Sequence, residues 1–169
     1  MKRLGCGSVA LLALSACSSS DSPPPETTAL LSDQTLDPRP DYWASVLWRQ
    51  LMGDRALDVD RSAVDENVRL YAHCTYQQPG AVTVLAINLD PEHSVRLAID
   101  GLGGGKDLYL LTADSLDSAE LMLNGVVLVD DDGALPDLSP DSIGNRPADL
   151  PPRSIAFVVF PDAGAVACQ

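Results

Sequence analysis

The chain has 169 residues, with 24 acidic and 11 basic side chains and a formal net charge of −13. So negative a protein repels nucleic acid and other polyanions, which excludes a nucleic-acid-binding role. The length suits one domain with a single hydrophobic core.

The first residues have the organisation of a bacterial export signal. Lys2 and Arg3 precede a short apolar run at residues 9–14, and Leu-Ser-Ala-Cys follows, ending at Cys17. The run is far shorter than the ~20 residues of a membrane-spanning helix. Because the ending resembles a lipobox, we expect a signal peptide at residues 1–16 and a lipid on Cys17. Secretion with Cys17 as a free thiol is the alternative.

The mature chain is then an exported lipoprotein, held by its lipid on the periplasmic or cell-surface side of a membrane. Its formal charge falls from −13 to −15, because two basic residues leave with the signal. Residues 17–29 are rich in Ser and Pro and have few apolar side chains. They predict a disordered tether between the lipid and the folded part.

The cysteines predict a disulfide. Cys6 lies in the signal and Cys17 takes the lipid, which leaves Cys74 and Cys168 in an oxidising compartment. We expect these two to pair, and two buried free thiols are the alternative. Two cysteines and two scattered histidines do not have the ligand spacing of a zinc site, so no metal is expected.

One helix is predicted, at residues 40–52, with Gly53 as its stop. Trp43, Leu47 and Leu51 fall on one face of it, and further apolar residues widen that face. Such a helix needs cover on more than one side. We therefore expect it to meet a partner if no other part of the chain covers it.

The remainder of the chain predicts strands. The sequence Asn124-Gly125 between two apolar segments is a strong hairpin signal, because both residues tolerate positive φ. A loop rich in Pro and Asp is expected at residues 130–153, and a last short strand is expected to end at Cys168. The fold class is therefore all-β, an antiparallel β-sandwich of about eight strands with one N-terminal helix. Alternating or continuous apolar patterns place further strands at residues 68–75, 82–89, 94–99, 106–112 and 154–160.

Several short motifs, in their order and spacing, resemble the C-terminal part of heparanase-like endo-β-glucuronidases of glycoside hydrolase family 79. The similarity covers roughly residues 30–169. The motifs are Asp37-Pro38, Pro40-Asp41-Tyr42-Trp43, Tyr71-Ala72-His73-Cys74-Thr75, Ala86-Ile87-Asn88-Leu89, Leu123-Asn124-Gly125 and Ala165-Val166-Ala167-Cys168.

This resemblance implies two parts in the folded region. Residues 30–54 correspond to the last strand and helix of the family's catalytic barrel, and residues 55–169 to its C-terminal β-sandwich. It also implies a disulfide at the positions of Cys74 and Cys168. A partner carrying the barrel is then expected to meet the helix that bears Trp43, Leu47 and Leu51.

The family's catalytic carboxyl pair lies on barrel strands upstream of the matched region. A retaining glycosidase needs two carboxyl groups about 5 to 5.5 Å apart. We therefore expect no catalytic residue and no cofactor, and interpret the chain as a non-catalytic, lipid-anchored module. One alternative is part of an active β-glucuronidase-type glycosidase, and another is a neutral carbohydrate-binding module. The four glutamates present, Glu26, Glu66, Glu92 and Glu120, all lack the Asn-Glu context of the family's acid/base.

Other candidate sites have simpler explanations. The sequence Asp130-Asp131-Asp132-Gly133 lacks the spaced ligands of a calcium loop and predicts a solvated turn. Asp58 and Asp60 fit an acidic surface without a cation, and His73 fits a surface or inter-element position. Five aromatic residues could form a platform that stacks against sugars. Three of them lie on the predicted helix, and this position favours burial in the core. The five residues are Tyr42, Trp43, Trp48, Tyr71 and Tyr76.

Overall fold

The computed structural model describes residues 30–31, 37–62, 64–99, 101–115, 118–130 and 134–169. These residues form one α-helix, ten β-strands and a short 3-10 helix. None of the helices in this described part is long and apolar enough to cross a bilayer. The predicted signal peptide, the lipid site at Cys17 and the predicted tether lie outside the described residues.

Helix α1 spans Pro40–Leu51. A proline in its first turn forgoes a backbone N–H that would have no partner there, and Asp41 complements the positive end of the helix dipole. Trp43, Leu47 and Leu51 are buried along one stripe, as their four-residue spacing requires. The predicted helix is confirmed, one residue shorter than expected.

The prediction that Gly53 stops the helix is wrong. The chain passes directly from α1 into strand β1 (Met52–Leu57), which contains Gly53. A Cβ atom on Gly53 would lie 2.6 Å from the carbonyl oxygen of Cys74, on the neighbouring strand. The glycine is therefore required for the close approach of two backbones, while the helix ends because Met52 adopts extended dihedral angles.

The strands form two sheets. The main sheet has eight strands in the order β1-β2-β3-β10-β5-β6-β7, with β8 also paired to β5, and a two-stranded sheet joins β4 to β9. All named pairs are antiparallel, which confirms the predicted fold class. After β1, the strands are β2 Val68–Thr75, β3 Val82–Asn88, β4 Val95–Leu97, β5 Lys106–Thr112, β6 Met122–Leu123, β7 Val126–Val127, β8 Asp141–Gly144, β9 Ala148–Leu150 and β10 Ser154–Phe160.

Both faces of the main sheet are covered. One face packs against β4 and β9 through a cluster that includes Ala72, Val84 and Val158, which lie side by side on β2, β3 and β10. The next row, with Leu85 and Phe157, points to the opposite face and packs against α1 and the β6–β7 region. This is why β3 and β10 are apolar on both sides and do not alternate.

Asn88 fastens the end of β3 to the second layer. It is fully buried, and its side-chain amide donates to the carbonyl oxygens of His93, Leu150 and Pro151 at 2.9, 3.2 and 2.9 Å. Its own carbonyl oxygen accepts the backbone N–H of Asp90 at 3.0 Å. One side chain therefore joins β3, the turn after it and the β9–β10 connection.

The strands predicted at residues 68–75, 82–89, 106–112 and 154–160 are confirmed as β2, β3, β5 and β10, and the strand predicted at residues 94–99 is present as the shorter β4. The hairpin at Asn124-Gly125 is present, with φ values of 50° and 81°. Two predictions fail. The predicted loop at residues 130–153 contains β8 and β9, and the chain ends in a 3-10 helix at Val166–Cys168 where a strand was expected. In both segments the apolar pattern is too short to show periodicity, so pairing with distant residues decides the structure.

Candidate functional site

A groove lies where β1, the end of β2 and the 3-10 helix meet. Cys74 and Cys168 form a disulfide there, with their Cα atoms 5.3 Å apart, which confirms the predicted pairing. Backbone bonds hold the same segment, because the N–H of Gly80 donates to the carbonyl of Cys168 at 2.8 Å and the N–H of Ala165 donates to the carbonyl of Gly80 at 2.9 Å. Arg55 also donates to the carbonyl oxygen of Ala167.

We call this feature the disulfide groove. It is open to solvent and has a volume of about 880 Å³. Its walls carry one acid, one guanidinium, one phenol and several neutral amides, and the disulfide lies between them. The lining residues are Gly53, Asp54, Arg55, Cys74, Thr75, Tyr76, Gln77, Gln78, Pro79, Ala167, Cys168 and Gln169.

A second, shallower groove of about 350 Å³ lies between α1 and the main sheet, and we call it the helix groove. Its walls are mainly apolar, with Ala44 and Trp48 on the helix and Ile87, Ile155 and Phe157 on the sheet, and the polar side chains of Asp41 and Ser45 also line it. Trp48 is 40% exposed, so a large aromatic surface remains uncovered at the rim.

Polar contacts fix α1 at its C-terminal end. The Thr83 hydroxyl donates to the Leu51 carbonyl at 3.0 Å and shares a 2.9 Å hydrogen bond with the Thr75 hydroxyl, and both threonines are buried. His73 lies against Trp48, with ring centroids 5.4 Å apart, and its Nδ1 lies 2.6 Å from the carbonyl oxygen of Gly53. The inter-element position predicted for His73 is therefore confirmed.

The helix residues expected to meet a partner are covered within the chain. Trp43 and Leu47 are 3% and 0% exposed, and Leu51 is buried beside them. The sheet supplies this cover, because its apolar row on β3, β10 and β5 lies beneath the helix. The stripe named from the sequence is therefore covered by the chain's own sheet, and contact between this helix and a partner stays a prediction.

Asp60, considered from the sequence as a cation ligand, and Asp90 both accept hydrogen bonds within local turns. The backbone N–H of Ser62 donates to Asp60 at 2.9 Å and lowers the pKa of this carboxyl group. Backbone N–H groups of Glu92 and His93 donate to Asp90, each at 2.8 Å, and lower the pKa of Asp90 in the same way. A glycosidase general acid needs the opposite shift, a raised pKa. In the described part of the chain, no three His, Cys, Asp or Glu side chains form a group that could hold a metal ion.

The aromatic residues considered from the sequence as a sugar-stacking platform lie in different parts of the structure. Trp43 is in the core, whereas Tyr71 and Tyr76 are 45% and 48% exposed and Trp48 lies at the rim of the helix groove. Tyr76 lines the disulfide groove and Tyr71 does not. Gln77 and Gln78, which lie beside Tyr76, were not predicted from the sequence as site residues. In the structure, the positive φ of Gln77 marks this turn as unusual.

This is a two-layer antiparallel sandwich with one helix against its main sheet. No protein-family model matches the chain. It is 35% identical over 138 residues to baicalin-β-D-glucuronidase of Scutellaria baicalensis, which covers 78% of this chain and 26% of that protein. It is 34% identical over 163 residues to inactive heparanase-2 of Mus musculus, and the match covers 82% of this chain and 27% of that protein. It is 36% identical over 151 residues to heparanase of Gallus gallus, and the match covers 82% of this chain and 29% of that protein.

The chain is therefore homologous to proteins of the heparanase and β-glucuronidase family, glycoside hydrolase family 79. It spans about a quarter to a third of the length of the curated relatives it matches.

Proposed function

We propose that the described unit is the C-terminal, non-catalytic β-sandwich of a heparanase- or β-glucuronidase-type glycosidase, and that the reacting carboxyl groups belong to another part of the assembly. The main support is the comparison itself, in which about four fifths of this chain aligns with less than a third of a glucuronidase and of a heparanase.

The direct test is hydrolysis of a chromogenic aryl β-glucuronide by the purified full chain. We expect no activity above buffer. Turnover that scales with protein concentration and is lost when one of the exposed glutamates is changed to Gln would overturn the proposal. An immunoblot of source cells would then show whether a barrel of about 250 residues belongs to the same polypeptide.

The helix groove is the surface through which we propose that the sandwich packs on the catalytic part. Trp48 and Ala44 lie on the outer side of α1, and Ile87 and Ile155 continue the apolar surface onto the sheet. Exposed apolar surface of this kind is typical of an interface between two folded units. The polar hydrogen bonds of Thr83 and Thr75 hold the helix in place, so the surface is formed before any partner arrives.

Binding of the neutral dye Nile red tests whether this surface is free. The full chain should enhance the dye's fluorescence, and Ala44→Glu should remove most of the enhancement without changing the circular dichroism spectrum. Ser142→Glu, at an exposed site on β8, is the matched charge control. If the chain is monomeric and Nile red does not respond to it, the docking proposal is wrong.

We also propose that the mature chain is a lipoprotein anchored through Cys17. The support is the sequence from Lys2 to Cys17, with its basic start, short apolar run and lipobox-like ending. Cells grown with radiolabelled palmitate should incorporate label into the chain, and Cys17→Ser should abolish the incorporation. Cys6→Ser is the control, and equal labelling of both variants would contradict the proposal.

A further inference from the structure

The disulfide groove is large enough to hold a small molecule. Its volume of about 880 Å³ falls in the range of ligand pockets, roughly 300 to 1,000 Å³. The side chain of Tyr76 is 48% exposed at its wall, so its ring is accessible to a ligand. An aromatic ring displayed beside several amide groups is an arrangement that apolar packing does not explain.

The polar groups around Tyr76 both donate and accept hydrogen bonds. Gln77, Gln78 and Gln169 each offer an amide NH₂ and a carbonyl oxygen, Asp54 adds an acceptor, and the guanidinium of Arg55 has five donors. Sugar hydroxyls need both donors and acceptors, and the C–H face of a sugar ring packs on an aromatic ring. We propose that the disulfide groove binds a neutral saccharide, with Tyr76 as its stacking surface.

The charge of the site determines the class of sugar. Asp54 and Arg55 offset each other, and the other lining side chains are uncharged. The chain as a whole carries a net charge of −13, so it repels sulfated and uronic-acid glycans over the distance of a Debye length. A neutral oligosaccharide has no such barrier to approach.

Hydrogen bonds and the disulfide hold the walls of the groove together before a ligand binds. The Tyr76 N–H donates to the Leu51 carbonyl at 3.1 Å, and the Gln77 side-chain amide donates to the Tyr76 hydroxyl at 3.0 Å. The Cys74–Cys168 disulfide joins the two walls. Such preorganisation lowers the entropy cost of binding.

The backbone at Gln77 adds an independent observation. Its φ is +54°, in the left-handed region that residues other than Gly, Asn and Asp rarely occupy. Strain of this kind is concentrated at functional sites, where placing a particular side chain compensates for the energetic cost of an unfavourable backbone conformation. A glycine would fit this turn without strain, but it would remove the amide that holds the Tyr76 hydroxyl.

Native affinity electrophoresis of the full chain tests the proposal. The gels contain hydroxyethyl cellulose, galactomannan or laminarin as neutral probes, and chondroitin sulfate as the anionic probe. We expect slower migration in at least one neutral gel, and Tyr76→Ala should weaken that retardation roughly tenfold, as loss of an aromatic anchor does. Tyr71→Ala is the matched control, because Tyr71 is 45% exposed but lies outside the groove.

Three results would overturn the proposal: migration unchanged in all neutral gels, retardation in chondroitin sulfate alone, or equal effects of Tyr76→Ala and Tyr71→Ala. If Tyr76→Ala unfolds the chain, Gln78→Ala replaces it, with the same expected weakening. The outcome is separate from the docking proposal, because neither Tyr76 nor Gln78 lines the helix groove. Retardation without aryl glucuronide hydrolysis would therefore support saccharide binding by a non-catalytic unit.

Discussion

Replacement of Asn88 by Asp should destabilise the fold strongly and in a pH-dependent way. The amide nitrogen of Asn88 donates to three carbonyl oxygens, those of His93, Leu150 and Pro151, at 2.9 to 3.2 Å. In Asn88→Asp a carboxylate oxygen would face the same three oxygens with no hydrogen to donate. Lost hydrogen bonds and a buried charge without a partner together cost roughly 3 to 5 kcal/mol of unfolding free energy at neutral pH.

The pH dependence follows from the pKa of the new carboxyl group. Burial and the three carbonyl dipoles favour its neutral form, so its folded-state pKa rises above the unfolded value of about 3.9. Relative to the parent chain, Asn88→Asp should therefore be least destabilised below about pH 4. The loss should grow as the pH rises through the folded-state pKa.

Urea unfolding at several values between about pH 4 and pH 7 measures this difference, with the parent chain measured in parallel at each pH. Asn145→Asp is the charge control, because Asn145 is exposed in the turn before β9. A loss below about 1 kcal/mol at neutral pH would refute the role assigned to the Asn88 amide. A loss that does not change with pH would refute the pKa argument.

Two further predictions concern the disulfide groove. The bond between Cys74 and Cys168 closes a loop of 94 residues. The variant with both cysteines changed to Ser should therefore have an unfolding free energy lower by about 4 to 5 kcal/mol, measured by urea unfolding. A decrease of less than about 1 kcal/mol would contradict the chain-entropy account. Gln77→Gly should raise the unfolding free energy by about 1 kcal/mol, because glycine adopts a φ of +54° without strain. Thermal unfolding at fixed pH measures this change. A lower unfolding midpoint for the variant would show instead that the Gln77 side chain stabilises the turn.

Elements with a strong local signal were predictable from the sequence. Asn124-Gly125 specified the hairpin because both residues adopt positive φ. The alternation of β2 separates buried from exposed side chains from Val68 to Ala72, but not at Cys74 and Thr75. The disulfide was predicted by counting the cysteines that would remain in the mature chain if the expected export signal were removed. In each case the deciding information lies within a few residues or in the residue type itself.

Elements that depend on distant partners were not predictable. β8 has four residues and pairs with β5 across a register shift, and β9 has three residues and pairs with β4. The disulfide groove likewise combines β1, the turn after β2 and the 3-10 helix, so no local pattern brings Tyr76 beside Arg55. Gly53 resembles a helix stop in sequence, but its role is set by the Cys74 carbonyl across the strand pair.

The position of β10 governs when the chain can fold. β10 is the last strand in chain order, yet it lies at the centre of the main sheet between β3 and β5 and supplies both faces with buried side chains. During synthesis the earlier strands emerge without the neighbour that fills the middle of their sheet. Because such long-range pairing slows folding, we expect the main sheet to close only after β10 has been synthesised.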